Sequence, residues 1–408
     1  MLDPTRPGPV PERRIARSWV RRLLTPGLPA NRLLRFALLL VGLIPTLHAF
    51  QVLLLQLPFG VDLEIPLRAA GRWVDGGLVY DPASFEVASG PGLPYLYPPF
   101  LLPILAPLLL LPRAFVLPAW VLVCIIASVW ALRRLRAPWL VVPVLLIWPP
   151  FAEGWITGNI QIVLFALFIS LFVAPGAGAV PFDYAARDPG AAGESRLRRG
   201  LEATIIAAFK IAQVHAWLAL FRRRPTGALL GVVVVGFVVL ATVPLTGLEQ
   251  WSEWLAQIRR ATDPAWPASG IGLSRYLGST IGLGVAVASI IAVLLVPRRE
   301  VGASVGVLAV VGAMLLRTYG LLFLLPAGLR LRRELGLLAF ALIGTFTEPG
   351  IWAGIALVAT SWLLALRSPA LLEPPAAGRT DISGHIAPDP RSVPPTGPEG
   401  RTLYTVSS

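Results

Sequence analysis

The sequence predicts an all-α, multi-pass transmembrane bundle, and three observations predict it. Hydrophobic residues make up 55% of the 408 residues and charged ones 14%, at a mean hydropathy of +0.71, whereas a soluble domain carries about 25% charged residues. Apolar runs of about 20 residues, enough to cross a hydrocarbon core of ~30 Å, recur from residue 33 to residue 366. Arginines stand in short clusters between those runs, as they do in cytoplasmic loops. Helices are the expected form, because lipid offers backbone N–H and C=O groups no partner outside their own segment.

Residues 1–30, with "DPTRPGPVPERR", and 368–408, with "APDPRSVPPTGPEG", are rich in Pro, Gly and polar groups. They are expected to be disordered cytoplasmic tails on a membrane domain at 31–367. The first apolar run, 33–55, is too long for a signal-peptide core and is expected to stay as an anchor. Arginine clusters at 13–35, 133–136, 196–199, 222–224, 298–299 and 330–333 mark the inner side. Spans then alternate: 33–55 outward, 114–132 inward, 138–150 outward and 157–173 inward. From 226 the order is outward, then inward at 278, outward at 301, inward at 319, outward at 334 and inward at 351. The short, proline-rich stretch 97–111 reads as a helix dipping in from outside.

Residues 201–220 break this alternation, since arginine clusters flank them on both sides. Two half-helices meeting within the membrane, with Lys210 near the bend, resolve the conflict. Such backbone is tolerated at depth only against protein or a water-filled cavity. Two longer loops, 56–97 and 246–277, fall outside. In the second, Trp251, Trp254 and Ile258 share a helical face, which suggests an interfacial helix anchored by its tryptophans.

The net charge of +13 is topological rather than a nucleic-acid footprint. Cys124 is the sole cysteine, so a disulfide framework and a thiolate metal site are excluded. His48, His215 and His385 lack metal-ligand spacing, and the first two read as hydrogen-bonded core histidines. No metal and no cofactor is expected. The glycines of "GLGVAVAS" at 282–289 read as helix packing, since no strand precedes them as in a phosphate loop.

Chemistry concentrates in a few places. In "VDLEIPLRAAGRW", Asp62 precedes a helix-like segment where it could cap free N–H groups. Glu64, Arg68 and Arg72 recur every four residues, the pattern of a salt-bridged face. Lys210 is the only lysine among the 35 basic residues. It lies in an apolar run where an ionisable group marks a functional site or pairs with a carboxylate, and a lysine supplies a compact point charge that arginine does not. Topology leaves Arg275 and Arg317 unexplained on the outer side, where they either snorkel or contact a lipid phosphate. Tyr95 and Tyr97 read as interfacial-belt residues that could also line a sugar pocket.

The order of these features, an apolar span, a loop with Asp62, the turn "GGLVYDP" and then "YLYPPF", resembles glycosyltransferase family 87 of the GT-C class. That family includes mannosyltransferases that use polyprenol-phosphate-mannose. "GWITGNIQIVLFAL" is similar to its Gly-Gln-x-Asn helix start, with the amides exchanged in Gly158, Asn159, Ile160, Gln161. "AAFKIAQVHAWLALFRRR" is similar to its Lys-Pro half-helix pair, with Ile211 in place of proline. Where that family often shows Asn-Gln-Ser before an arginine, "SGIGLSRYL" keeps only Ser269 and Arg275. The resemblance covers roughly residues 33–330.

The resemblance implies an inverting transfer of a sugar, mannose first, from a polyprenyl-phosphate donor. The acceptor would be a glycolipid or cell-envelope glycan at the extracytoplasmic face of a bacterial plasma membrane, with both termini cytoplasmic. Asp62 is then the general base, with Glu64 in reserve, and Glu64, Arg68, Lys210, Arg275, Arg317, Asn159 and Gln161 contact substrate. The rival is a transporter or lipid flippase. Such proteins usually carry paired interrupted helices, and the pair at 201–220 has no counterpart. A third reading is a catalytically inactive member that scaffolds envelope assembly.

Overall fold

Near-continuous apolar sequence carries helix α1 (Pro29–Gln56) through Pro45 without interruption. Only Leu57–Gly60 separates it from α2 (Val61–Val74). The computed structural model describes residues 29–87, 89–172, 196–209, 214–263, 266, 270–297 and 300–367. The expected tail at 368–408, residues 1–28 of the other, and Lys210 lie outside the described residues. Every regular element described is helical, and among the described residues the only strand-type pairing is an isolated bridge between Gly270 and Leu316.

Beyond α2 the first outer loop is a compact unit. A 3-10 turn (Pro82–Glu86), α3 (Leu101–Leu105) and a second 3-10 turn (Ala106–Leu110) lead to α4 (Arg113–Arg134). Arg72 Nη2 donates to Val79 O at 3.1 Å and closes the turn behind α2. Tyr95 is 1% exposed. It packs against Tyr80 and Tyr97, with ring centroids 5.5 and 5.8 Å away, so it is an interior residue and not a belt residue.

The segment expected to span at 138–150 is broken. It forms α5 (Val142–Ile147), an extended Trp148, and α6 (Pro149–Thr157). Pro149 and Pro150 have no N–H to continue the ladder of α5, but they suit the first turn of a new helix. Gly158, at φ 68°, ends α6 in the left-handed region that glycine reaches without strain. Helix α7 (Gln161–Phe172) follows, apolar on every side and buried as such helices are. Phe165 and Phe168 meet Phe323 with ring centroids 5.6 and 5.0 Å away.

Helices α8 (Arg196–Phe209) and α9 (Val214–Arg223) pack against each other. At ~1.5 Å per residue neither reaches across a bilayer. Helix α10 (Pro225–Ala261) is the partner that α8 contacts most extensively. A Cβ on Gly231 would lie 2.2 Å from Gly200 O, and one on Gly200 would lie 1.8 Å from Gly227 O. Gly227 and Gly231 thus form a small-xxx-small surface that lets the backbones touch. The contact brings the start of α8 beside the start of α10.

Helix α10 kinks at Gly247 (φ 76°, ψ 151°) and continues as an outer arm to Ala261. The arm's tryptophans face protein. Trp254 Nε1 donates to Leu96 O at 3.1 Å, and Trp251 stacks on Phe100 with centroids 6.5 Å apart. The expectation that they anchor the arm in the interface is therefore corrected: the periodicity defines a face, and the first outer loop covers it.

The chain then runs through α11 (Leu273–Leu295), kinked at Gly278, and α12 (Val301–Val311). A 3-10 segment (Thr318–Leu324), α13 (Leu325–Arg330), α14 (Arg333–Gly344) and α15 (Glu348–Arg367) complete it. The inward span expected at 319 is thus two short pieces joined at Leu324. Pro326 lies in the first turn of α13, where a helix starts more readily than it continues. Helix α14 packs on both α1 and α15. His215 is buried and shares a 2.8 Å hydrogen bond with Ser289 Oγ, as the core reading expects, whereas His48 is exposed on α1 and is not a core residue.

Among the described residues, five helical stretches are long and apolar enough to cross a membrane: Leu33–Val74, Arg113–Arg134, Pro225–Ala261, Arg275–Leu295 and Glu348–Arg367. The first is the one that Leu57–Gly60 divides. Their outward side chains, such as Ile44, Phe237, Leu240 and Leu295, are apolar and exposed, as lipid contact requires.

Candidate active site

Two left-handed glycines build the site. Gly60 (φ 69°) starts α2 with no side-chain cap, and its N–H donates to Ile156 O at 2.9 Å. A Cβ on Gly158 would lie 3.5 Å from the Gly60 Cα and 3.0 Å from Trp120 Cδ1, so the end of α6 sits directly on the start of α2. Trp120 Nε1 donates to Gly158 O at 2.6 Å and locks the arrangement from α4.

Asp62 is therefore not the cap of α2. It stands in the helix's first turn, with its carboxylate turned to Asn159, whose Nδ2 donates to Asp62 Oδ2 at 2.8 Å. Asn159 is 2% exposed, and its Oδ1 accepts the Gln161 N–H at 2.8 Å. One end of the amide reads a backbone donor and the other a carboxylate. Flipping it would face N–H against N–H and oxygen against oxygen, so its orientation is fixed. Gln161 is buried, and its Oε1 has no hydrogen-bond partner.

Glu64 is occupied elsewhere. Arg68 Nε lies 2.9 Å from Glu64 Oε1, and Arg113 Nε lies 3.8 Å from Glu64 Oε2. The first pair lies along α2 itself, and the second links α2 to the start of α4. The half-buried Asp62 is the carboxylate that α2 turns toward Asn159.

Tyr97 and Tyr319 both lie within electrostatic reach of Asp62, and Tyr319 also of Arg317 and Glu153. Burial first, and then the Asp62 charge, push the Tyr97 phenol above its usual range, so it stays protonated and can donate a hydrogen bond. Arg317 precedes the 3-10 segment in an extended conformation. Its Cδ lies 3.2 Å from where a Cβ would stand on Gly270, and Arg275 Nη1 donates to Gly270 O at 3.1 Å. The two outer arginines thus converge on Gly270, which the bridge to Leu316 positions.

The structure brings together Asp62, Asn159 and Gln161, and separately Arg275 and Arg317. Glu64 and Arg68 belong to a neighbouring ion-pair network, and Lys210 lies outside the described residues. Sequence reasoning passed over Gly60, Trp120 and Tyr319. Only the glycine carried a signal, as a residue free to turn just before a charged helix start. Among the described residues no three His, Cys, Asp or Glu side chains gather as around a metal ion.

A helical bundle with membrane-length apolar helices that holds a carboxylate oriented by a buried amide at the end of its first span has the build of a polytopic membrane enzyme. The model of glycosyltransferase family 87 matches residues 95–349, more than half of the chain. The chain belongs to glycosyltransferase family 87 and is a membrane glycosyltransferase. No curated protein and no solved structure is significantly similar to it. The match favours the transferase over the transporter. Asn159, Gln161, Arg275 and Arg317 fall inside the matched region. Asp62 falls before it and enters the site through its bond to Asn159.

Proposed function

We propose that the protein moves a sugar, mannose first, from a polyprenyl phosphate to a glycolipid or cell-envelope glycan at the outer face of a bacterial plasma membrane. The architecture is read as GT-C type, with both termini cytoplasmic and α8–α9 a re-entrant pair. The observation that carries this reading is the Asp62 carboxylate, oriented by Asn159 just past the short loop Leu57–Gly60 that follows α1.

In the proposed step Asp62 takes the proton of the acceptor hydroxyl as its oxygen attacks the anomeric carbon. The bond from that carbon to the phosphate oxygen breaks on the opposite face, which inverts the centre, and its electron pair leaves with the polyprenyl phosphate. Arg275 and Arg317, converging on Gly270, are suited to the charge that grows on that phosphate. Lys210 is proposed as a further phosphate or carboxylate contact. Tyr97, held protonated, would donate to a sugar oxygen beside the base. Gln161 would use its unpartnered Oε1 toward substrate.

Membranes carrying the chain, offered a panel of labelled polyprenyl-phosphate sugars, should transfer one of them to lipid-linked product. Asp62→Asn should lower that transfer by about 10²–10⁴-fold at unchanged protein level. Full activity of Asp62→Asn sinks the assignment of the base, and no transfer from any donor sinks the donor class.

A further inference from the structure

The outer arm of α10 carries polar atoms that the fold leaves unused. Gln250 Oε1, Trp251 Nε1 and Glu253 Oε2 are all shielded from solvent and have no hydrogen-bond partner. They fall within one turn of a single helix. Buried polar groups are hydrogen-bonded in the great majority of cases, so such a group of exceptions marks a missing partner.

The surroundings define what that partner is. The arm turns this region toward the first outer loop, where Trp251 stacks on Phe100 and meets Trp254 edge-on at 5.9 Å. Glu253 lies within electrostatic reach of Tyr80. Two oxygen acceptors, one indole N–H and flat aromatic faces complement a pyranose: hydroxyls donate to the oxygens, one accepts from the indole, and C–H faces cover rings. The negative charge of Glu253 disfavours a phosphate, so the group selects an uncharged, hydroxyl-rich ligand over the donor's headgroup.

The arm and the proposed base lie beside different members of one tyrosine cluster. Tyr80, Tyr95 and Tyr97 follow one another at centroid spacings of 5.5 and 5.8 Å, and Tyr80 Oη donates to Tyr97 O at 2.8 Å. Glu253 acts on Tyr80 and Asp62 on Tyr97. We infer that Gln250, Trp251 and Glu253 form a subsite for the glycan part of the acceptor, whose far end then reaches Asp62. This rests on the transferase reading.

The shielded atoms require the arm to lift before a ligand enters, and Gly247 lets it do so. Its φ of 76° with ψ of 151° is essentially closed to other residues. A Cβ there would meet nothing within 4 Å, so backbone conformation rather than packing demands the glycine. Three hydrogen bonds tie the arm down: Trp254 to Leu96 O, and Gln257 Nε2 to Asp81 O and Ser84 Oγ, the last two at 3.3 Å.

The test is calorimetric titration of the full chain in lipid nanodiscs with methyl disaccharides of mannose, glucose and galactose, with glycerol as control. One of the glycosides should bind saturably and glycerol should not. Glu253→Gln and Trp251→Phe should each weaken that binding by about tenfold, with melting temperatures close to that of the parent. Asp62→Asn should leave it within about twofold, because the base lies beside a different tyrosine of the cluster. Absence of saturable binding by every glycoside overturns the subsite, as does parent-like affinity in both arm variants or an equal loss in Asp62→Asn. Sugar binding without transfer from any polyprenyl-phosphate donor would instead strike the reaction and leave the subsite standing.

Discussion

Asn159 Nδ2 stands 2.8 Å from Asp62 Oδ2, though 97 residues separate the two. Because the far end of the same amide accepts the Gln161 N–H, both ends of Asn159 are engaged within the protein, and on the proposed mechanism it would position the base. Asn159→Leu keeps the bulk and removes the donor. Turnover should fall about 10–100-fold, as the loss of one bond to a charged group implies, while KM for the donor moves less than about threefold. Initial-rate kinetics in proteoliposomes read both, and a rise confined to KM would return Asn159 to direct substrate contact.

Gly158 and Gly76 share nearly the same left-handed φ, 68° and 70°, but in different surroundings. A Cβ on Gly76 meets nothing within 4 Å, whereas one on Gly158 meets Trp120 at 3.0 Å. Gly76→Ala should cost about 1–2 kcal/mol of conformational strain and leave transfer intact. Gly158→Ala carries the same strain and also shifts Asn159, so its transfer should fall by more than its stability does. Thermal unfolding alongside transfer assays separates the two.

The α8–α10 contact makes a sharper structural prediction. Gly231→Leu drives a side chain into the Gly200 carbonyl and should abolish accumulation of folded protein, since overpacking already costs about 1–3 kcal/mol where side chains can yield. Gly236→Ala, one and a half turns further along the same helix with open space around it, should be neutral or slightly stabilising. Detergent-resistant yield by size exclusion checks the pair.

Alkaline pH should loosen the first outer loop. Burial first, and then neighbouring charge, push the phenols of Tyr80, Tyr95 and Tyr97 above their usual range. The folded state therefore keeps these protons after the unfolded chain begins to lose them near pH 10. Folding stability is fully present below about pH 10 and declines as pH rises beyond it. Melting temperature followed from pH 8 to 11 should show this decline, and Tyr80→Phe with Tyr97→Phe should flatten it.

The membrane class was legible because hydropathy and arginine placement are local properties of the chain. Arginines on both flanks of Lys210 set the expectation of a broken helix there; α8 and α9 are described on either side, and Lys210 itself lies outside the described residues. Asp62 and Asn159 could each be singled out from their own short motifs. Their contact could not, because it depends on Gly60 and Gly158 letting two backbones meet, and no spacing rule encodes that. The same gap explains Trp251 and Trp254. Helical periodicity tells which residues share a face and is silent on whether lipid or protein lies against it. Hydropathy likewise ran through 138–150 without registering that Pro149 and Pro150 must restart the helix.

Only Leu57–Gly60 lies between the end of α1 and the helix that bears Asp62. On the proposed mechanism, so short a tether would hold the reacting carboxylate close to the headgroup layer. Substrates would then be gathered by diffusion in two dimensions. A hydroxyl carried on a lipid visits Asp62 at a surface density set by the membrane, while the same hydroxyl on a free sugar must find a thin layer from bulk water. Depth in the bilayer, as much as pocket shape, becomes the filter that decides what is glycosylated.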